Sequence, residues 1–156
     1  MLRRNIQANG LGSCINVIEC GVWSSGGETE VMGKGRQRNS IASIDKLSNS
    51  DMRITVRTDS LDNILHSWGE KVIDFLALTL NGAEVEALQG LEKEINRIKV
   101  IYVAARYTRE GRGTYQSCIE ILRERGCVIL PQSGDSSIYA ATKYFAKEYV
   151  SCSNSN

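Results

Sequence analysis

The stretch that decides the fold is residues 72–91, VIDFLALTLNGAEVEALQGL. Residues 72–80 are almost continuously apolar, which is typical of a parallel strand buried on both faces of a sheet. After an Asn-Gly turn, apolar residues recur at spacings of three and four, which predicts an amphipathic helix. This stripe consists of Val85, Leu88, Leu91, Ile95 and Ile98. The stretch therefore predicts a strand, a tight turn and a helix, the unit from which open α/β sheets are built.

The turn in this stretch is the first candidate for a binding site. Small ligands of open α/β sheets bind beyond the carboxyl ends of the strands, and this position is occupied by Thr79, Asn81 and Gly82. Asn81 and Glu84 allow two interpretations: they contact a ligand, or they form the N-cap and its capping-box partner at the start of the helix. Asn81 could do both, whereas Gly82 suits a tight turn or a close approach of the backbone.

The remaining sequence predicts one α/β domain over residues 1–145 and a disordered tail over residues 146–156. A length of 156 residues suffices for one domain with a core and is short for two. Turn residues and apolar periodicity divide the chain into further elements. These are helices at 1–10, 59–68 and 114–125, strands at 14–23, 53–57, 99–106, 127–131 and 137–142, and a polar excursion at 24–51 with a hairpin near 30–42. Asp59 or Ser60 is predicted to cap the second helix.

Charge and composition exclude several function classes. The formal net charge is +1, so there is no electrostatic footprint for nucleic acid or an anionic membrane. No apolar run approaches the roughly 20 residues of a membrane span, and the N-terminus lacks a signal-peptide core. These features predict a cytoplasmic protein. Five cysteines without a C-x-x-C pair predict reduced, mostly buried thiols and no metal site.

Other polar residues are weaker candidates. His66, the only histidine, is predicted to lie at the surface, and the sequence does not support a Ser/His/Asp triad. The basic run 33–38, GKGRQR, could touch a phosphate, but it lacks the P-loop ending, and a solvated loop is favoured. A last group follows the strand of residues 99–106 and could line an acceptor pocket or form a solvated loop. Its members are Tyr107, Thr108, Arg109 and Arg112.

Five segments together resemble the FkbM-type methyltransferases. They are LRRNIQANGL at 2–11, VWSSGG at 22–27, SLDNIL at 60–65, IDFL at 73–76 and NGAEVEALQG at 81–90. The likeness extends from the first helix to about residue 142, and the order of the segments is more specific than any one of them.

The resemblance implies a Rossmann-like methyltransferase sheet, with helices on both faces and an antiparallel final strand. It implies methyl transfer from S-adenosylmethionine to a hydroxyl of a sugar or another small molecule. The cofactor contacts that it implies are Gly21 and Val22, as a wall on the adenine side, and Thr79, Asn81 and Gly82, beside the cofactor or the acceptor. It does not identify a catalytic residue.

The chain departs from the family pattern at its start. In the family, a Gly-rich turn and an acid that hold the cofactor lie upstream of the first helix seen here. The strands that carry them would lie between the strands of residues 14–23 and 72–80. We therefore expect an N-terminally truncated sheet with a gap at its centre and an uncovered strand edge, available for self-association or complementation.

A second departure lies in the turn itself. Many family members have Lys-Ile-Asp-Val-Glu-Gly where residues 77–82 read ALTLNG, and an acid of the next strand is replaced by Ala104 and Ala105, which leaves Arg106 as the nearest polar group. Thr79 and Asn81 can form hydrogen bonds but cannot act as carboxylate bases. This loss of charge leaves an alternative open: an inactive form, or a non-catalytic binding or assembly module derived from the methyltransferase fold.

Overall fold

The computed structural model describes residues 1–33, 39–41, 52–69, 71–109, 111–131, 133–134 and 136–147. Within these residues there are four α-helices: α1 (Leu2–Ala8), α2 (Leu61–His66), α3 (Glu84–Gln89) and α4 (Thr114–Glu124). The strands are β1 (Gly21–Trp23), β2 (Gly27–Gly33), β3 (Asn39–Ile41), β4 (Met52–Ser60), β5 (Ile73–Leu78), β6 (Ile98–Val103), β7 (Thr108–Arg109), β8 (Arg112–Gly113), β9 (Val128–Ile129) and β10 (Ile138–Ala141).

These strands form two four-stranded sheets and a small hairpin. The first sheet has the order β1-β4-β2-β3, with β1 and β4 parallel and the other pairs antiparallel. The second has the order β5-β6-β10-β9, with β5 parallel to β6 and β10 antiparallel to both of its neighbours. The mixed α/β class and the antiparallel final strand are therefore confirmed. The single sheet is not seen, because β1 and β5 are edge strands of separate sheets.

The main core lies between α3, α4 and the second sheet. Its central strand is β6, of which four residues are buried, whereas β5 contributes one buried residue, Leu78. The largest apolar side chains that are fully buried come from the helices, β6 and β10: Leu88, Leu91, Ile98, Ile101, Val103, Leu122 and Ile138. The predicted helix at 114–125 is confirmed in α4, which buries one face, since Cys118, Ile119 and Leu122 all lie in this core.

The prediction that the strand of residues 72–80 is buried on both faces is wrong. Within the part of the chain that the structure describes, strand β5 pairs with β6 along one edge and has no strand at the other. Phe75 is 54% exposed, as is Val72 just before the strand. The sequence is that of an interior strand, but the position is that of an edge strand. An apolar edge of this kind presents unpaired backbone groups to any strand that can reach it.

The prediction of one long helix after the turn is also corrected. Helix α3 ends at Gln89, and the chain then passes through a short 3-10 turn, Ile95–Arg97, before β6. The break occurs at Gly90, which lies against the backbone of Trp23 and accepts a hydrogen bond from the N–H of Asp62, at 2.9 Å. The apolar stripe is buried nevertheless, because the 3-10 turn carries its last residues into the core.

Asp62 holds the segment that follows α3. Its carboxylate accepts hydrogen bonds from the backbone N–H groups of Glu92, Lys93 and Glu94, each at 3.0 Å. Ser60, two residues before Asp62, is the N-cap of α2, as predicted. Its hydroxyl accepts a hydrogen bond from the N–H of Asn63. The start of α2 thus stabilises the exit from α3, and the two sheets are joined through these helices.

The first predicted strand is much shorter than expected. The alternating pattern of residues 14–23 predicts a full strand, but only Gly21–Trp23 pairs, with the end of β4. Ile15 and Ile18 are exposed, so none of the described elements covers the apolar side of this segment. By contrast, helix α1 ends as predicted, with Gly10 in the left-handed region at φ 67°. The predicted hairpin is confirmed in β2 and β3, whereas residues 34–38 and 42–51 lie outside the described residues.

The predicted tail lies outside the described residues, except for Ala146 and Lys147. Ala146 is buried in a small cluster with Leu130 and Ala141. Across the part of the chain that is described, no helix is long and apolar enough to cross a membrane.

None of the four cysteines that are described is joined to another of them in a disulfide, and the four lie in two different environments. Cys118 and Cys127 are buried, Cys14 is exposed and Cys20 is intermediate, whereas Cys152 lies outside the described residues. The prediction of burial is confirmed for two of them, and that of reduced thiols stays a prediction. Removal from water raises the pKa of the Cys127 thiol to about 11.

We expect the difference in burial between Cys14 and Cys127 to appear in thiol labelling. At about pH 8 an exposed thiol is partly ionised and reacts, whereas a thiol as buried as Cys127 stays protonated. A disulfide reagent should therefore label Cys14 in the native protein and Cys127 only after denaturation, as read by mass spectrometry of the peptides. Equal labelling rates for Cys14 and Cys127 in the native protein would contradict the described packing.

Candidate functional site

A cleft of about 450 Å³ lies at the carboxyl ends of β5 and β6. Because these strands are parallel and adjacent, their last residues and the loops that follow meet at one edge of the sheet. The volume falls in the range of small-molecule sites, roughly 300–1,000 Å³. The residues that line it are Thr79, Asn81, Glu84, Tyr102, Ala104, Arg106 and Tyr107.

The floor of the cleft is the turn between β5 and α3. Asn81 and Gly82 both have left-handed backbone conformations, at φ 53° and φ 103°. The carboxylate of Glu84 is buried and accepts hydrogen bonds from the N–H groups of Leu80, at 2.8 Å, and Gly82, at 2.9 Å. Each carboxylate oxygen is thus used to hold the turn closed.

The capping-box interpretation of Asn81 and Glu84 is not what the structure shows. The N-cap position of α3 is Ala83, without a side-chain cap, and the oxygen of the Asn81 side chain points elsewhere. Asn81 is displaced from the cap because the left-handed turn places it before the helix and not at its first position. Glu84 stabilises the turn and not the backbone of Asn81.

Tyr107 connects the two strand ends across the cleft. Its hydroxyl donates to Oδ1 of Asn81 at 3.1 Å. Its backbone carbonyl accepts from both the N–H of Thr114, at 2.8 Å, and the hydroxyl of Thr114, at 3.0 Å. The main chain of Tyr107 and the hydroxyl of its ring are therefore both hydrogen-bonded, and the hydroxyl holds the Asn81 side chain in place within the cleft.

The wall formed by β6 and the residues after it combines small, aromatic and cationic groups. Ala104 is buried and small, which leaves space at the end of the strand. Tyr102 is half-buried, and its ring centroid lies 4.9 Å from that of Tyr139 on β10. Arg106 is exposed, and no described carboxylate lies within ion-pair distance of its guanidinium.

Among the described lining residues, Glu84 and Arg106 determine the charge of the cleft. Glu84 is the one carboxylate among the described lining residues, and both of its oxygens are occupied by backbone N–H groups. No group of three or more potential metal ligands occurs among the residues described, so the chemistry available in this part is hydrogen bonding and one positive charge.

The predicted site residues are only partly brought together. Thr79 and Asn81 line the cleft, and Gly82 lies beside it with its N–H donated to Glu84. Gly21 and Val22 lie in β1, in the other sheet, where Gly21 is opposite Thr58 and Val22 packs against the main core. A role for these two in cofactor binding stays a prediction.

The sequence analysis did not name Tyr102 as a site residue. It offered Glu84 as a ligand contact or a capping-box partner, whereas Glu84 holds the turn, and it gave Arg106 no role of its own. Tyr102 falls within an apolar strand, and only its position between the buried Ile101 and Val103 could have indicated that it faces away from the core. Thr108, Arg109 and Arg112 belong to the small hairpin β7–β8, and Thr108 is not among the described lining residues of the cleft. His66 is exposed as predicted, with Nδ1 3.3 Å from Oε1 of Glu94. Of the basic run, only Gly33 is described.

The fold and the cleft together define a mixed α/β protein with a cleft of small-molecule size at the carboxyl ends of two parallel strands. The model of the FkbM methyltransferase domain matches residues 2–129. The chain therefore belongs to the FkbM methyltransferase family, which confirms the resemblance that the sequence motifs indicate. Neither the comparison with curated proteins nor that with solved structures found a match.

Proposed function

We propose that this chain takes part in methyl transfer from S-adenosylmethionine to a hydroxyl group of a sugar or another small molecule. The observation that carries the proposal is the position of the cleft. It lies at the carboxyl ends of two parallel strands, within the region that matches the methyltransferase family, and it contains the turn at Asn81 and Gly82. Hydroxyl, amide and aromatic groups line it, as in sites for small polar molecules.

The cleft fits only part of the cofactor. S-adenosylmethionine contains ribose hydroxyls and a carboxylate, for which Thr79 and Asn81 offer suitable hydrogen-bond partners. It also contains a sulfonium and an ammonium group, and no carboxylate among the described lining residues is free to face them, because Glu84 is engaged. We therefore propose that the described cleft is the acceptor side of the crevice and one part of the cofactor site.

The chemistry left to this chain is binding and orientation. When bound, the cofactor supplies an electrophilic methyl group, and the acceptor oxygen must approach it in line. Thr79 and Asn81 would hold the acceptor hydroxyl, and Tyr107 would position Asn81 through their hydrogen bond. Because Thr79, Asn81 and Arg106 are exposed, the proton lost by the hydroxyl can pass to water.

Calorimetric titration with S-adenosylmethionine tests the proposal. We expect measurable heat, and weaker binding by about tenfold when Thr79→Val or Asn81→Gly removes a polar side chain from the cleft. Asn81→Gly is the appropriate change because glycine tolerates the left-handed conformation. Ser67→Ala is the control, because Ser67 lies at the end of α2 and is not among the described lining residues of the cleft. The absence of heat at millimolar ligand would refute a self-sufficient methyltransferase.

We also propose that the outer edge of β5 pairs with another strand, through self-association or complementation. Two observations support this: β5 has the sequence of an interior strand, and among the described strands its backbone pairs only with β6. Phe75 provides apolar surface at this edge, where 54% of it is exposed.

A charge at this edge should prevent such pairing. We expect Phe75→Lys to abolish self-association of the wild-type chain and to cost little stability, since Phe75 is exposed. Light scattering after size exclusion gives the molar mass, and Tyr144→Lys, which also replaces an exposed aromatic residue, is the control. A monomeric wild-type chain at all concentrations would exclude self-association and leave complementation by another polypeptide as the form of the proposal.

A further inference from the structure

We propose that the cleft selects acceptors carrying an anionic group, a carboxylate or a phosphate, and that Arg106 binds this group. The inference that the bound molecule is a methyl acceptor rests on the proposed function. The inference that the cleft prefers an anion does not, because it follows from the groups that line the cleft.

The balance of charge is the first argument. Arg106 lines the cleft, its guanidinium is exposed, and within the described residues no carboxylate is paired with it. The one lining carboxylate, Glu84, is buried below the turn and accepts two backbone hydrogen bonds. A ligand in this cleft therefore meets one available positive charge and no available negative charge among the described groups.

The balance of donors and acceptors is the second argument. Oδ1 of Asn81 is occupied by the hydroxyl of Tyr107, so the amide of Asn81 offers its N–H₂ group to the cleft. The guanidinium of Arg106 offers several N–H donors in a planar fork, and the hydroxyl of Thr79 adds another donor. Carboxylate and phosphate oxygens are acceptors that match such a set, and guanidinium groups bind them with charge-assisted hydrogen bonds.

The space beside Arg106 is the third argument. Ala104 and Ala105, which precede it, are small and buried, so the strand end itself places neither a bulky nor an acidic side chain between Arg106 and the cleft. Tyr102 and Tyr107 flank the same space with aromatic surface, against which a sugar ring or a planar ring can lie. The fitting ligand is a ring with a hydroxyl and an anionic substituent.

A matched set of sugars tests this preference without methyl transfer. Methyl β-D-glucuronide has a carboxylate where methyl β-D-glucoside has a hydroxymethyl group, and methyl β-D-glucoside 6-phosphate carries a phosphate at the same carbon. Their affinities can be measured by chemical-shift titration of the isotope-labelled protein. We expect both anionic sugars to bind about tenfold more tightly than the glucoside, and this advantage to shrink as salt is added.

Variants of the cation assign the effect to Arg106. Arg106→Gln should remove the advantage of the anionic sugars and leave the affinity for the glucoside unchanged, whereas Arg106→Lys should retain part of it. Arg123→Gln changes the net charge equally on the exposed side of α4 and should have no effect. Because Arg106 is exposed, these variants are expected to fold.

Three results would overturn the proposal: equal affinities for the charged and neutral sugars, no binding of either anionic sugar at tens of millimolar, or an equal loss in Arg123→Gln. The outcome is separate from that of the cofactor titration. An anion preference without heat from S-adenosylmethionine would support the anion subsite and reject the methyltransferase proposal, and heat without an anion preference would do the reverse.

Discussion

Replacing Gly90 with alanine is expected to lower the free energy of unfolding by about 3 kcal/mol. An added Cβ would lie 2.5 Å from the carbonyl oxygen of Trp23 and 3.1 Å from two backbone atoms of Ser24. All three are backbone atoms, so no side-chain rotation relieves the clash. The end of α3 and strand β1 would have to separate, and the hydrogen bond from Asp62 to the carbonyl of Gly90 would be strained.

The sign of this effect is opposite to that expected from helix propensity. Gly90 has φ −81°, a conformation that alanine adopts readily, and within a helix alanine is favoured over glycine by up to ~1 kcal/mol. Denaturant unfolding followed by circular dichroism measures the difference. Gly12→Ala, where no atom lies within 4 Å of the added Cβ, is the control. A Gly90→Ala protein as stable as the control would show that β1 does not pack here.

Replacing Glu84 with glutamine is expected to cost about 2 kcal/mol. Both carboxylate oxygens accept from backbone N–H groups, those of Leu80 and Gly82. Glutamine has nearly the same shape, but one oxygen becomes an N–H₂ group that faces another donor. One buried N–H then loses its partner, and the left-handed turn loses part of its support.

Glu84→Ala should cost more, because both N–H groups lose their acceptor and a small cavity is left. Glu92→Gln makes the same chemical change at an exposed side chain and should stay within ~0.5 kcal/mol of the wild type. Denaturant unfolding followed by circular dichroism compares Glu84→Gln, Glu84→Ala and Glu92→Gln. If Glu84→Gln is as mild as Glu92→Gln, the carboxylate of Glu84 does not organise the turn, and the position of Asn81 in the cleft would need another explanation.

Local structure was the most predictable part of this protein. The Ser60 cap, the α4 face of Cys118 and Leu122, and the antiparallel end of the second sheet all follow from short-range patterns, which contain enough information for caps, faces and hairpins. The family was predictable as well, since its motifs are ordered along the chain.

What could not be predicted depends on contacts between distant segments. Apolar continuity in β5 indicates a strand that could be buried, but not whether a second strand is present to bury it. The helix stripe could not reveal the break at Gly90, because its cause is the backbone of Trp23, far away in the sequence. In the site, the spacing of Asn81 and Glu84 correctly marks a turn, but it cannot tell which backbone groups the carboxylate binds.

The hydrogen bonds of the Asn81-Gly82 turn also bear on the chemical lifetime of the protein. Asparagine before glycine is prone to deamidation, because the glycine nitrogen attacks the asparagine amide and closes a five-membered ring; asparagine is among the thermolabile residues for this reason. Here that nitrogen donates to Glu84, and the Asn81 amide is held by Tyr107. Both reacting groups are thus restrained, so Asn81 should deamidate far more slowly in the folded protein than in the unfolded chain.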